Sequence, residues 1–188
     1  MHRPYTLVAH SIGALYALDY VNRFPGEVRA VVTIDGQVPL DGPVPDEGRL
    51  SRWTRLWSTS GVLRWVSSFA PTLLVQAPPD TYPEPARRTM RTMALRNDSG
   101  PALVEENHRE AQNVEAVRGL AYPAALPVLA FVALDSMDGL AEWYPAHQGQ
   151  LEGLDRSELV VVDDGHYLHH PHSSQIADTT RAFLGAPA

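Results

Sequence analysis

The chain has 188 residues, which fits one domain on a scale of about 100–200 residues per domain. Hydrophobic residues make 44% of it and charged residues 20%, a globular composition that excludes wholesale disorder. The formal charge is −7 with fifteen arginines, no lysine and no cysteine, which excludes disulfides, thiolate metal sites and a cysteine nucleophile and, with no basic stripe, argues against nucleic acid as a partner.

In chain order, Tyr5–Ala9 is short, apolar and β-prone, His10-Ser11-Ile12-Gly13 reads as a turn, and Ala14–Phe24 reads as a helix stopped by Pro25-Gly26. Val28–Ile34 is a second buried strand that stops at Asp35-Gly36. A connector rich in Pro and Gly, Gln37–Gly48, leads into Arg49–Tyr122, which looks helical and separate. Leu50, Trp53 and Trp57 share one helical face there. Ala86, Met90, Met93 and Ala94 share another, and Leu103, Ala111, Val114 and Val117 a third. Trp65 and Phe69 extend the apolar surface of this segment, while Arg87, Arg88, Arg91 and Arg96 read as a solvated face. Sheet-like sequence returns with Pro127–Leu134, ended at Asp135-Ser136. A helix over Leu140–Leu151, a strand over Glu158–Val162 and a helix over Ser174–Leu184, capped by Ser173, complete the chain.

Apolar strands alternating with helices predict an α/β fold with a mostly parallel sheet covered by helices. The expected organisation is core over 1–48, a helical cap insertion over 49–122, and core again over 123–188. A helical insert between two strands of a sheet is the natural form of a lid.

Ala9-His10-Ser11-Ile12-Gly13 sets a serine between small residues at a strand-to-helix turn. Small flanks let strand and helix approach and lift the hydroxyl clear of the sheet, as a nucleophile requires. Ile12 falls at the helix start, where backbone N–H groups point outward and can meet an oxyanion. The plainer role for Ser11 is a helix cap. His166 follows the last strand in Asp163-Asp164-Gly165-His166, placed to act as a general base. His169, His170 and His172 invite a metal reading, but they lie in one stretch with no paired ligands elsewhere, so no metal and no cofactor are expected. The base needs a carboxylate to fix its tautomer. Asp35, 24 positions after Ser11, is preferred, with Asp135 as the alternative acid and Asp138 third. A purely structural Asp35 would order its loop with Gly36. Trp143, Tyr144 and His147 read as part of a helix covering the sheet, and Tyr167 and Leu168 as anchors of the base loop.

These residues resemble the α/β-hydrolase fold superfamily. Ala9–Gly13 looks like the nucleophile elbow, Leu159–His166 like the last strand and histidine loop, and Arg49–Tyr122 occupies the cap position. Pro127–Asp135 looks like the strand that usually carries the acid. The order Ser, Asp, His is that of the superfamily with any of the three aspartates. Two departures stand out. Ser136 falls where the superfamily places its usual acid, and Asp35 matches the place used by certain lipases and haloalkane dehalogenases. The elbow also comes at the very start, so the strands before it, and the loop that gives a second oxyanion-hole N–H, are expected to be missing. Losing one such donor costs roughly 10²–10³ in rate.

The resemblance implies a serine hydrolase of a carboxylic ester or similar acyl substrate, with Ser11 as nucleophile, His166 as base, Asp35 or Asp135 as acid and Ile12 as oxyanion donor. A serine nucleophile does not imply the dehalogenase or epoxide-hydrolase chemistries. The alternatives are a ligand-binding or receptor-like member, or an inactive truncated fragment. The expected partner is a small molecule, with no nucleic acid and no apolar run of the roughly 18 residues that a membrane span needs. Met1–Tyr5 has no signal-peptide pattern; localisation is unknown, cytoplasmic by default, since any signal peptide would lie in the segment expected to be missing. The lysine-free, arginine-rich composition suggests a bacterial gene.

Overall fold

The computed structural model describes residues 4–40, 81–97, 101–139 and 142–185. Two compact units divide the chain, Met1–Asp41 with Val117–Ala188, and Gly42–Ala116. The expectations for Leu50, Trp53, Trp57, Trp65 and Phe69 lie outside the described residues, as do those for the side chains of Arg96, Leu103 and Asp138.

The first unit is built on a four-stranded sheet. Its strands are β1 (Tyr5–His10), β2 (Val28–Ile34), β3 (Val128–Ala133) and β4 (Ser157–Val162), side by side in chain order. All three pairings are parallel. Every residue of β3 is buried, as is all of β2 but Arg29. That is why both strands read as unbroken apolar runs: a parallel sheet is covered on two faces.

Side chains alternate across a strand, and this sorts the helices. Val32 and Ile34 join Leu129, Phe131, Ala133 and Val162 in a core closed by Ile176 and Phe183 of α6 (Ser173–Leu184). Thr33 points to the opposite face, towards Ala14 of α1 (Gly13–Arg23). Helix α1 buries Leu15, Leu18 and Val21 there. Each such side chain contributes about 1.5–3 kcal/mol. Helix α6 ends on Gly185, whose φ of 69° suits glycine and lets its N–H close onto the last carbonyls. At the other end the residue before the helix is His172, with no side-chain cap; Ser173 is already helical and does not cap it.

The second difference from expectation is at β3. The strand expected over Pro127–Leu134 ends at Ala133, and a six-residue helix α4 (Leu134–Gly139) starts directly from it, ahead of the helix expected from Leu140. Helix α5 (Trp143–Leu151) follows and covers the sheet. The second unit contributes helix α2 (Glu84–Asn97) and most of α3 (Pro101–Val117). On α2, Arg91 pairs with Glu84, and Met93 stands 53% exposed, so the expected apolar face is incomplete.

Candidate active site

Parallel strands bring their carboxyl ends to one edge, where ligands bind in open α/β sheets. Ser11 and Asp35 stand at that edge. Ser11 follows β1 and its N–H donates to the Ile34 carbonyl at 3.2 Å; the Asp35 N–H donates to the Phe131 carbonyl at 2.7 Å. Each residue thus extends the ladder by one step before the chain turns away.

Both turns require unusual backbone. Ser11 has φ of 55° and Asp35 has φ of 41°, a region that costs a non-glycine residue about 1–3 kcal/mol. The Ser11 carbonyl accepts from the N–H groups of Ala14 at 3.0 Å and Gln37 at 2.9 Å, which hold the elbow from two sides. Strand and helix approach closely: a Cβ on Gly13 would lie 3.8 Å from that of Ala9. This is ordinary contact, so alanine at position 9 fits. Gly36 has no such room, since a Cβ there would lie 2.6 Å from the Ala14 Cβ. Ile12 is the residue just before α1, so its N–H is among the leading groups that no helical carbonyl satisfies.

Asp35 is 1% exposed. Its Oδ1 accepts from the Ala133 N–H at 3.0 Å and from Trp143 Nε1 at 3.4 Å. Its Oδ2 accepts from Ser136 Oγ at 2.7 Å and lies 2.6 Å from His166 Nδ1. A carboxylate surrounded by donors is ionised, so Nδ1 of His166 carries the proton and Nε2 is left with a lone pair. Burial pushes the Asp35 carboxyl up, but the bonds from His166, Ser136 and Ala133 outweigh it and hold the group below the usual carboxylate range.

His166 sits in the loop after β4. The Gly165 N–H donates to Asp164 Oδ1 at 2.7 Å, Asp164 Oδ2 meets His172 Nε2 at 2.9 Å, and Leu168 is fully buried in the core. The ring itself remains 39% exposed. The Ser11 hydroxyl and His166 share no hydrogen bond among the described residues; the link between their loops runs through His10. The His10 ring lies 4.6 Å from that of His166, and its Nε2 lies 3.0 Å from the His166 carbonyl oxygen.

The other histidines pack instead. His169 lies 4.5 Å from His10 and 4.2 Å from His170, ring to ring. Burial and the neighbouring histidines lower its pKa to about 4. Among the described residues no group of three His, Cys, Asp or Glu is placed to hold a metal. Asp135 is exposed in the first turn of α4, and Gly165 rather than the His166 ring faces its carboxylate. His147 is 1% exposed beneath Trp143, with neither ring nitrogen bonded among the described residues, and burial lowers its pKa to about 4. A cavity of about 410 Å³ lies between Val38, Leu40, Leu120 and Pro145, but neither Ser11 nor His166 lines it.

Three residues at this centre carry no site role in the sequence: Ser136, His10, and Trp143, which reads only as part of a helix covering the sheet. Ser136 had a positional signal, since it stands where an acid is usual. Trp143 had none, because its contact with Asp35 spans 108 positions.

No family model matches the chain, and no curated protein matches it in sequence. Solved structures do. A thermophilic esterase from Thermogutta terrifontis matches 97% of this chain and 65% of its own, at 15% identity and a TM-score of 0.61. MGS-M2, an alpha/beta hydrolase enzyme from a Medee basin deep-sea metagenome library, matches 99% and 66%, at 14% identity and a TM-score of 0.59. The chain has the α/β-hydrolase fold. The epoxide hydrolase CorEH matches 96% and 67%, at 16% identity and a TM-score of 0.61. The chain spans about two thirds of the length of each of these three. Their names cover different reactions, so the likeness speaks for the fold, and the chemistry has to be argued from the site.

Proposed function

We propose that the protein is a serine hydrolase that cleaves a small carboxylic ester or a similar acyl substrate through an acyl-enzyme. The observation that carries this reading is the 2.6 Å contact between Asp35 Oδ2 and His166 Nδ1, at the sheet edge where Ser11 occupies a left-handed elbow. Ser11 Oγ attacks the acyl carbon while Nε2 of His166 takes its proton. The Ile12 N–H faces the developing oxyanion. Collapse of the tetrahedral species expels the alcohol, which takes the proton from His166. Water then repeats the sequence, with His166 again as base, and frees the acid. Asp35 stays ionised throughout, keeping Nδ1 protonated and stabilising the imidazolium that forms. The segment 49–122 is read as a cap insertion, on its place in the chain between β2 and β3.

The test is turnover of p-nitrophenyl acetate and butyrate by the purified chain, beside Ser11→Ala and His166→Ala. The expected result is turnover above background that either substitution abolishes. Undiminished turnover in Ser11→Ala overturns the assignment.

A further inference from the structure

We infer that His10, the residue before the proposed nucleophile, is a positioning residue that ties the backbone of the base to the elbow through its Nε2–H and the His166 carbonyl. The inference rests on the serine-hydrolase reading for its kinetic consequence, but not for the contact itself. His10 and His166 are 156 positions apart, yet Nε2 and the carbonyl oxygen lie 3.0 Å apart. A carbonyl only accepts, so Nε2 of His10 must carry the proton.

The ring is held in place. It lies 4.6 Å from the His166 ring, 4.5 Å from His169 and 5.5 Å from Tyr167, all on the loop after β4. His10 itself is the last residue of β1, paired in register with Ile34, so its backbone is fixed by the sheet. The base is therefore anchored twice: its Nδ1 on the loop after β2 through Asp35, and its carbonyl on the end of β1 through His10. Asp164 and the buried Leu168 hold the loop as a whole; the Asp35 and His10 contacts act on His166 itself, one on its ring and one on its backbone, and together set where Nε2 stands relative to Ser11. Reactions of this kind lose rate steeply with small misplacements.

Charge supports the same role. Burial lowers the pKa of His10 and favours the neutral ring. A cation there would sit against His166, where the imidazolium has to form. The groups facing it are His166, His170 and Asp35, with His169 and Tyr167 in ring contact.

The experiment compares His10→Phe and His10→Gln with the unsubstituted chain, using ester kinetics and long-range ¹H–¹⁵N spectra of the imidazoles. Phenylalanine keeps the ring contacts and removes the donor; glutamine keeps an Nε2 donor at similar reach. The expected result is a kcat about 3- to 10-fold lower in His10→Phe with KM unchanged, the effect of one neutral hydrogen bond, and recovery of most of it in His10→Gln. The spectra should show His10 protonated at Nε2 at pH 7. A His10 protonated at Nδ1 alone overturns the inference whether or not the chain turns over ester. So does a kcat in His10→Phe equal to that of the unsubstituted chain, or a glutamine variant no better than phenylalanine. Undiminished turnover in Ser11→Ala or His166→Ala instead overturns the serine-hydrolase reading, while the Nε2 contact stands or falls on the spectra.

Discussion

Among the described glycines Gly36 leaves the least room for a Cβ, and its substitution by alanine tests how the sheet and α1 hold the site. The new Cβ would lie 2.6 Å from the Ala14 Cβ and 3.1 Å from the Thr33 Cβ, where carbon atoms prefer about 3.5–4.0 Å. Neither neighbour can swing aside. Ala14 has no rotamer to change and sits in the first turn of α1, and Thr33 is 2% exposed within β2. Relief must come from moving α1 off the sheet or from displacing Asp35, the residue before Gly36. Overpacking of this kind costs about 1–3 kcal/mol. For a domain of this size each kcal/mol lowers Tm by about 2–4 °C, so Gly36→Ala should melt about 5 °C below the unsubstituted chain by circular dichroism at pH 7. The offending atom is the Ala14 Cβ, and removing it is the remedy. Adding Ala14→Gly removes the 2.6 Å contact at a cost of about 0.5–1 kcal/mol for glycine in a helix. The double variant should therefore melt above Gly36→Ala alone. A Gly36→Ala variant within about 1 °C of the starting Tm, or one that Ala14→Gly does not improve, would refute the packing argument.

Two further predictions concern buried ionisable groups. Asp35→Asn keeps the shape but cannot hold Nδ1 of His166 protonated, and should lower kcat by about 10⁴, whereas Asp135→Asn on the exposed turn should leave it within about twofold; ester kinetics of the two variants decide, and a larger loss in Asp135→Asn would reverse the choice of acid. His147 is held near 4 from an ordinary 6.5, so below 6.5 the unfolded chain binds the extra proton and folding stability falls as pH drops towards 4. His147→Phe should flatten that part of the curve in urea unfolding at stepped pH, and an unchanged slope would show that His147 is not the group responsible. Asp35 acts lower: its lowered pKa gives stability that is present above 3.8 and is lost as pH falls through the folded value.

Much of the fold was legible because its signals are local. Val28–Ile34 reads as a strand from its apolar run and is one over the same residues. The helices after β1 and β4 each start one residue before their expected positions. Both faces of the two central strands are buried, so there the apolar run is itself the signal. The same run hid the end of β3, where Leu134 continues the hydrophobic pattern but opens a helix. The site divides in the same way. Ser11 and His166 announce themselves by the turns that carry them. The bonds from Ser136 and Trp143 to Asp35 span 101 and 108 positions, and that from His10 to His166 spans 156. No periodicity encodes such contacts; they follow from strand order and from the path of α4, which set the ends of β1, β2 and β3 beside one another.

The central claim is that Ser11 is a nucleophile activated by His166 and Asp35. The most direct measurement is covalent trapping: incubation with a fluorophosphonate, digestion, and mass spectrometry of the peptide that carries the adduct. The expected result is one phosphonyl group per chain on Ser11, formed at least about 10²-fold more slowly in His166→Ala, where general-base assistance is lost. An adduct on another residue, or labelling of Ser11 at the same rate without His166, would contradict it.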